Sequence, residues 1–427
     1  MNEPIFIARQ DTLEQEILPA HWLSQYKLFG EESYTFQDKE IWKRLCMSRA
    51  AANDRDMHAE ALEEMLTTFS AEHTGKWMLT VYGMDAAVLE GLATMAAVAG
   101  NGTAMAAVAG NALLMHAITN SETAMQAISR SQTAMQRIAN SATAMDAISG
   151  NKIARGAVQA SPYYNSYIKE NDMAIAKLVV SFANLASAGY SGMAGVAADA
   201  TAMNAVAASS TAMNAVAASA VARNAISASP YYDAKIKEND MAIAKLVVGF
   251  ANLESARYSG CAGMAADSTA MTAVAASSTA MTAVAASGVA LKAIAQAYKK
   301  TANMLQFLKA VNASDTLVKR IYSTLTNATA LFGAAQLGSQ DSVENANSWA
   351  TTSAAPNAFL ACACGYYGSS SDSVSVTYNG TVIAQKKTGT AKPGSVTSTN
   401  VNAITMAPST FTENGDGYLA VQKFTAK

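Results

Sequence analysis

Residues 121–150 read SETAMQAISR SQTAMQRIAN SATAMDAISG, and these three blocks of ten residues follow one pattern that decides the fold. Each block carries Thr-Ala-Met, then an Ile (Val in other copies) three residues after the Met, and small or polar residues at its end. The unit runs from about residue 92 to 158 and returns after residues 201 and 269. Repetition at a fixed period predicts a repeat protein in which each unit packs against its neighbours.

A longer period of 68 residues (229 − 161) is superimposed on the short one, because Ser161–Tyr164 recurs as Ser229–Tyr232. Residues 161–228 and 229–296 are therefore near copies of each other. In both copies Ser-Pro predicts the start of a helix, because Ser is a good N-cap and Pro suits the first helical position. The Asn-Asp pair ten residues further on predicts the cap of a second helix, and we expect both helices to be longer than those of the ten-residue units.

Ala and Met favour helix, Ser or Thr before Ala-Met can cap it, and Gly, Ser or Asn can end it. The unit therefore predicts a helix of about seven residues followed by a turn of about three. One continuous helix is the alternative, although its apolar stripe would rotate by about 80° per ten residues, faster than in a coiled coil. We expect short helices stacked as an α-helical solenoid, and a strongly twisted bundle stays open. The predicted repeat core comprises Met105, Val108, Met125, Ile128, Met135, Ile138, Met203, Val206, Met271 and Val274.

Composition divides the rest of the chain. The N-terminal part holds three of the four Trp, whereas Ser, Thr, Val and Gly replace Ala and Met near the C-terminus. There Asn379-Gly380 lies between alternating apolar runs and predicts a β-hairpin. The expected fold class is mainly α with a C-terminal β domain. The predicted domains are a small helical head at 1–90 (the candidate anchor), a decapeptide block at 91–160, repeat module A at 161–228, repeat module B at 229–296, a helical neck at 297–344 and a β-sandwich at 345–427.

Composition also argues against several functional classes. Lys+Arg (30) and Asp+Glu (32) nearly cancel, which argues against a nucleic-acid binder. No apolar run is long enough to span a membrane, and the sequence Met1-Asn2-Glu3-Pro4 does not resemble the start of a secretory signal. We find no catalytic motif, so we expect neither an enzyme nor a cofactor or metal. The pair Cys362 and Cys364 is too close for a zinc or redox hairpin, and we expect both thiols to face one core.

Four tyrosines near the C-terminus could bind a sugar or a protein, because aromatic rings with polar neighbours are common in such sites. They are Tyr366, Tyr367, Tyr378 and Tyr418. Tyr is equally common in the core of a β-sandwich, so a packing role is the competing interpretation.

The Thr-Ala-Met repeats, preceded by a distinct N-terminal region and followed by a Ser/Thr/Gly-rich β region, resemble tail-fibre and other virion-appendage proteins of tailed bacteriophages. The resemblance implies a homo-oligomeric fibre, a trimer being one option, that is assembled in the host cytoplasm and located in the virion. One end would contact other virion proteins and the other a host-surface glycan or protein, without membrane insertion. The alternatives are a structural collar, head or baseplate component, and a non-viral adhesin or ice-binding protein. The resemblance does not fix which end is the anchor.

Overall fold

The computed structural model of the chain describes residue 92 and residues 95–297, 304–341, 348–351, 357–366, 373–387, 395–406, 409–414 and 417–427. The described chain is mainly helical as far as Asn327, and antiparallel β-structure follows. The chain divides into two compact units after Val196. The helical head expected at residues 1–90 lies outside the described residues.

Short helices follow one another through the first unit. Helices α2 to α7 each contain eight or nine residues, and one or two residues separate neighbours, so the helices are longer and the turns shorter than expected. The helices are α1 (Met95–Gly100), α2 (Gly102–Gly110), α3 (Ala112–Asn120), α4 (Glu122–Ser129), α5 (Gln132–Ala139), α6 (Ala142–Gly150), α7 (Lys152–Gln159), α8 (Tyr164–Tyr167) and α9 (Asp172–Phe182).

The second unit repeats this arrangement and adds two further helices before the sheets. Helix α10 (Met193–Ala198) contains the residues at which the two units divide. The others are α11 (Ala200–Ala208), α12 (Ser210–Ala218), α13 (Ala220–Ser227), α14 (Tyr232–Lys235), α15 (Asp240–Phe250), α16 (Cys261–Ala266), α17 (Ser268–Ala276), α18 (Ser278–Ala286), α19 (Gly288–Ala297), α20 (Met304–Asn312) and α21 (Asp315–Asn327).

The first residue of each unit, rather than Thr, caps the helix. Ser121 has an extended backbone (ψ 113°), and its Oγ accepts the N–H of Ala124 at 3.2 Å. Thr123 lies inside α4 and is exposed. The predicted Thr cap is therefore wrong, because an N-cap needs an extended backbone and a side chain that reaches an N–H two or three residues further on.

These extended cap residues turn the chain sharply. At Ser277 the axes of α17 and α18 differ by 105°. Turns of this size bring each helix against the third helix after it. In the first unit α2 contacts α5, α3 contacts α6 and α6 contacts α9; in the second unit α12 contacts α15 and α15 contacts α18.

The side of each short helix that faces these neighbours is apolar. In α4 the buried residues are Ala124, Met125, Ile128 and Ser129, which lie on one face at helical spacing. The ten residues of the predicted repeat core all have side chains with no measurable exposure: Met105, Val108, Met125, Ile128, Met135, Ile138, Met203, Val206, Met271 and Val274. Ala beside each Met lets the helices approach closely.

The two tyrosine segments, which begin with Ser-Pro-Tyr-Tyr at residues 161 and 229, differ from the expectation. Helices α8 and α14, which follow Ser-Pro, contain only four residues each, whereas α9 and α15 contain eleven. Asn171 and Asn239 cap the two longer helices as predicted, each accepting the N–H of the residue three positions on. Only the second helix of each tyrosine segment is therefore longer than the repeat helices.

The C-terminal residues form two four-stranded antiparallel sheets, with strand orders β1-β8-β3-β6 and β2-β7-β4-β5. The strands are β1 (Phe332–Asp341), β2 (Ser348–Thr351), β3 (Ala358–Tyr366), β4 (Ser373–Tyr378), β5 (Thr381–Lys387), β6 (Val401–Met406), β7 (Ser409–Asn414) and β8 (Gly417–Ala426). Positive φ values at Asn379 (45°) and Gly380 (76°) form the predicted hairpin turn between β4 and β5.

The predicted helical neck, residues 297–344, extends too far towards the C-terminus. Helix α21 ends at Asn327, and β1 begins at Phe332. The sequence of β1, FGAAQLGSQD, is rich in Ala and Gly and has little strand preference of its own. Its antiparallel pairing with β8 therefore decides its conformation.

Two polar side chains connect the last helices to the sheets. The Asn312 Nδ2 donates to the carbonyl of Ile404 at 2.7 Å, and its Oδ1 accepts the N–H of the same residue at 3.0 Å. Ile404 lies on β6, which is the edge strand of its sheet. The Tyr322 hydroxyl lies 2.6 Å from the Val396 carbonyl, to which it donates. One buried core continues from α15 through these helices into both sheets.

Candidate functional site

The four candidate tyrosines do not form a site that can be described. Tyr378 is buried, with 4% of its surface exposed, so its ring is not available for the surface binding considered from the sequence. The backbones of Tyr366 and Tyr418 lie in β3 and β8, paired with neighbouring residues of the other strand. The side chains of these two, and Tyr367 as a whole, lie outside the described part of the chain.

The described residues also bear on metal binding, membrane spanning and the cysteines. Within the described residues, no group of three or more His, Cys, Asp or Glu side chains is placed to hold a metal ion. In the same residues no single helix has the length and apolarity to span a membrane, although two sharply bent helix pairs reach those limits when joined. Cys362 and Cys261 are buried free thiols, and burial is the main cause that raises the pKa of Cys261. The Cys364 side chain lies outside the described residues.

A buried lysine in each copy of the 68-residue module forms the most distinctive polar cluster. In the first unit Lys177 lies on α9, with 2% of its surface exposed. Its Nζ donates to Asp146 Oδ1 at 2.6 Å and to the Ser187 carbonyl at 3.2 Å. The Ser187 hydroxyl donates to the same Asp146 oxygen at 2.7 Å. The cluster is therefore an ion pair between a buried lysine and a half-buried aspartate, and it links α9 to α6.

The second unit contains the same cluster with one decisive difference. Lys245 on α15 has 1% of its surface exposed, and its Nζ donates to Asn214 Oδ1 at 2.7 Å and to the Ser255 carbonyl at 3.0 Å. The Ser255 hydroxyl lies 3.0 Å from Asn214 Oδ1, to which it donates. Asn214 occupies the position that Asp146 occupies in the first copy, so both hydrogen-bond partners of this lysine are neutral.

This difference changes the electrostatics of the second cluster. Removing an ammonium group from water disfavours its charged form unless a nearby anion compensates. Burial accordingly lowers the pKa of Lys245 below the value of an exposed lysine. The second cluster therefore places a lysine of lowered pKa against a neutral amide carbonyl, whereas the first pairs a lysine with a carboxylate.

Arg155 and Arg223 occupy Met positions of the repeat, and they make equivalent contacts. The Arg155 guanidinium lies 5.9 Å from the centre of the Phe182 ring, and that of Arg223 lies 5.7 Å from the centre of the Phe250 ring. Each also donates to a backbone carbonyl near the end of the preceding helix. These contacts are cation–π interactions, so the Arg residues pack against the longer helices.

The cap residues form a second recurring polar feature. Ser131, the cap of α5, accepts the N–H of Ala134 with its Oγ and donates to the carbonyl of Ala99, 2.6 Å away on α1, the fourth helix before α5. Ser141 and Ser161 in the first unit, and Ser229 in the second, donate in the same way at 2.5 Å. One hydroxyl thus begins a helix and joins it to the neighbouring layer of helices.

Neither polar feature was predicted from the sequence. A signal was present for the lysines, since each interrupts an otherwise apolar run, AIAKLVV, in two copies. Its partner is 31 residues earlier, which is three units plus one residue. That separation becomes meaningful only when each helix is known to contact the third helix after it.

Comparison with known proteins adds no further residue to the site. No protein-family model matches the sequence, and no curated protein matches it either.

Proposed function

We propose that the helical repeats form a solenoid with three helices per turn and that the two C-terminal sheets face each other as a β-sandwich. Contacts between each helix and the third helix after it support the solenoid. Contacts between β4 and β6 and between β7 and β8 join the two sheets, and Phe359, Phe411 and Phe424 are buried. These contacts support the sandwich.

We further propose that the protein is a structural virion protein of a tailed bacteriophage, a homo-oligomeric fibre or appendage. The observation that carries this proposal is the hydrogen bond from a cap Ser to the fourth preceding helix, which recurs along the repeats. A contact that repeats identically can add length without a new core, as in other repeat proteins. That property suits a spacer between an anchoring end and a binding end.

The C-terminal sheets are the proposed end that contacts the host cell. The shared core from α15 to the sheets would hold such a domain firmly on the last repeat helices. The proposed partners are other copies of the chain, other virion proteins and a glycan or protein of the host surface. The alternative, a collar, head or baseplate component, assigns the sheets to docking within the virion.

Electron microscopy of the purified full chain and of a variant lacking residues 161–228 tests the spacer role. The deletion removes one module and brings Ser229 to the position of Ser161, so the variant retains the same cap residue and the same residues after it. We expect both proteins to form elongated particles, the variant being shorter, with equal adsorption to host cells. Compact particles of both proteins would refute the fibre. Elongated particles that bind no bacterial surface would favour the docking alternative.

A further inference from the structure

We propose that Lys245 and Asn214 condense into an amide cross-link, an isopeptide bond between α15 and α12. The proposal is independent of the virion role, because it rests on the contacts of the second buried lysine cluster alone. The two residues are 31 positions apart in sequence, and the Lys245 Nζ lies 2.7 Å from the Asn214 Oδ1. The bond would join two successive layers of helices covalently.

The reaction needs no oxidant, reductant or co-reactant. The lone pair of the Lys245 Nζ attacks Cγ of the Asn214 amide, and an Nζ–Cγ bond forms. The Cγ–Nδ2 bond then breaks, and Nδ2 leaves as ammonia with the proton that Nζ has lost. Atoms and charges balance, since an amine and a primary amide give a secondary amide and ammonia.

Three features of the cluster favour this chemistry. The amine must be unprotonated to act as a nucleophile, and burial without a carboxylate partner lowers the pKa of Lys245. The Ser255 hydroxyl donates to Asn214 Oδ1 at 3.0 Å, where negative charge develops as the amine attacks. The Ser255 carbonyl accepts from Nζ and so holds the amine beside the amide.

The first copy of the module is an internal control. Lys177 Nζ forms a salt bridge with the Asp146 carboxylate at 2.6 Å, so the side chain that faces it carries no amide group. A carboxylate is also a poor acceptor for an amine, because its negative charge makes the carboxyl carbon a weak electrophile. We therefore expect the cross-link in the second copy and a salt bridge in the first.

Mass spectrometry of the purified full chain, kept in mildly alkaline buffer, tests the proposal. We expect the intact mass to fall by one ammonia per chain and a protease digest to contain one branched peptide joining Lys245 to Asn214. The branched peptide is the deciding signal, because the Asn379-Gly380 turn can also lose ammonia by cyclisation. Ser255→Ala should slow the appearance of the branched peptide.

Two variants remove the reaction in different ways. Asn214→Asp reproduces the ion pair of the first copy, which that copy shows to be compatible with the fold, and should abolish the branched peptide. Lys245→Arg retains a cation but lacks the amine and should have the same effect. Linear peptides carrying Lys245 and Asn214 in the wild-type digest would overturn the proposal. So would a branched peptide that joins Lys177 to Asp146 instead.

Discussion

The Ser141 hydroxyl should stabilise the repeat twice, once within its own helix and once between helices. It accepts the N–H of Ala144 at 3.2 Å, which caps α6, and donates to the Ala109 carbonyl at 2.5 Å on α2. Ala109 has 1% of its surface exposed, so water cannot readily replace the lost donor. Ser141→Ala therefore removes a cap and leaves a buried acceptor without this partner.

The expected cost follows from these two contacts. Losing a Ser cap costs about 1 kcal/mol of stability, and leaving a buried carbonyl without its donor costs about 1–3 kcal/mol. Ser141→Ala should therefore lower the free energy of unfolding of the first unit by roughly 2–4 kcal/mol.

Two further variants separate the contributions of the cap and the interhelix bond. Asp at position 141 can still accept from the Ala144 N–H but cannot donate to the carbonyl, so Ser141→Asp should lose the interhelix bond alone. Asn can do both, as Asn151 does when it caps α7 and donates to Asn120 Oδ1 at 2.6 Å. Ser141→Asn should therefore remain close to the wild type.

Urea unfolding followed by circular dichroism gives the overall stability, and hydrogen exchange of residues 142–150 reports on α6 itself. The local readout matters because repeat proteins need not unfold in one step. We expect the order wild type, Asn, Asp, Ala from most to least stable. If Ser141→Asp matched or exceeded the wild type, capping alone would explain why Ser recurs at this position of the repeat, and the interhelix bond would contribute nothing.

For three other substitutions the structure determines whether the protein becomes more or less stable. The Ser149 hydroxyl is buried without a hydrogen-bond partner, so Ser149→Ala should raise the unfolding free energy by about 1 kcal/mol. Ser129→Ala is the matched control and should lower it, because the Ser129 hydroxyl donates to a carbonyl at 3.1 Å. Gly192→Ala should lower the melting temperature, because its new Cβ would lie 2.1 Å from a carboxylate oxygen of α9; an unchanged value would contradict that close approach. The hydrogen bond from the Tyr258 hydroxyl is the largest cause that keeps the pKa of Asp267 below its usual value. The ionised Asp267 therefore stabilises the fold at pH values above the pKa that this carboxyl has in the unfolded chain. That stabilisation is lost as the pH falls through the lower pKa of the folded protein. Tyr258→Phe should be less stable at neutral pH, and acid titration of both proteins should show the difference shrinking below about pH 4; a difference independent of pH would refute the linkage.

The period of the repeats and the composition of the ends were sufficient to predict helices, their buried Met and Ile or Val faces, and a β region with a hairpin at Asn379-Gly380. These features depend on residues close together in sequence. The capping residue was misassigned because Ser121 and Thr123 have similar local preferences. Only the backbone conformation, extended at the first and helical at the second, distinguishes them.

Features that depend on distant contacts were not predictable in the same way. Strand β1 is defined by its pairing with β8, which begins more than 70 residues later, rather than by its own Ala and Gly. The buried Lys245 reads locally as one charge in an apolar helix, and its role depends on Asn214 on the third preceding helix. Which residues meet depends on the contact of a helix with the third helix after it, and composition does not reveal that contact.

The Asn312 amide has a consequence for the solubility of the sheet. An edge strand exposes N–H and C=O groups that can recruit a strand from another molecule and so begin aggregation. At Ile404 both groups are already engaged, because Asn312 offers a donor and an acceptor in the way a neighbouring strand would. The helix before the sheets thus acts at that point as a substitute strand. A strand of another molecule could pair with β6 at Ile404 only after these two hydrogen bonds had broken.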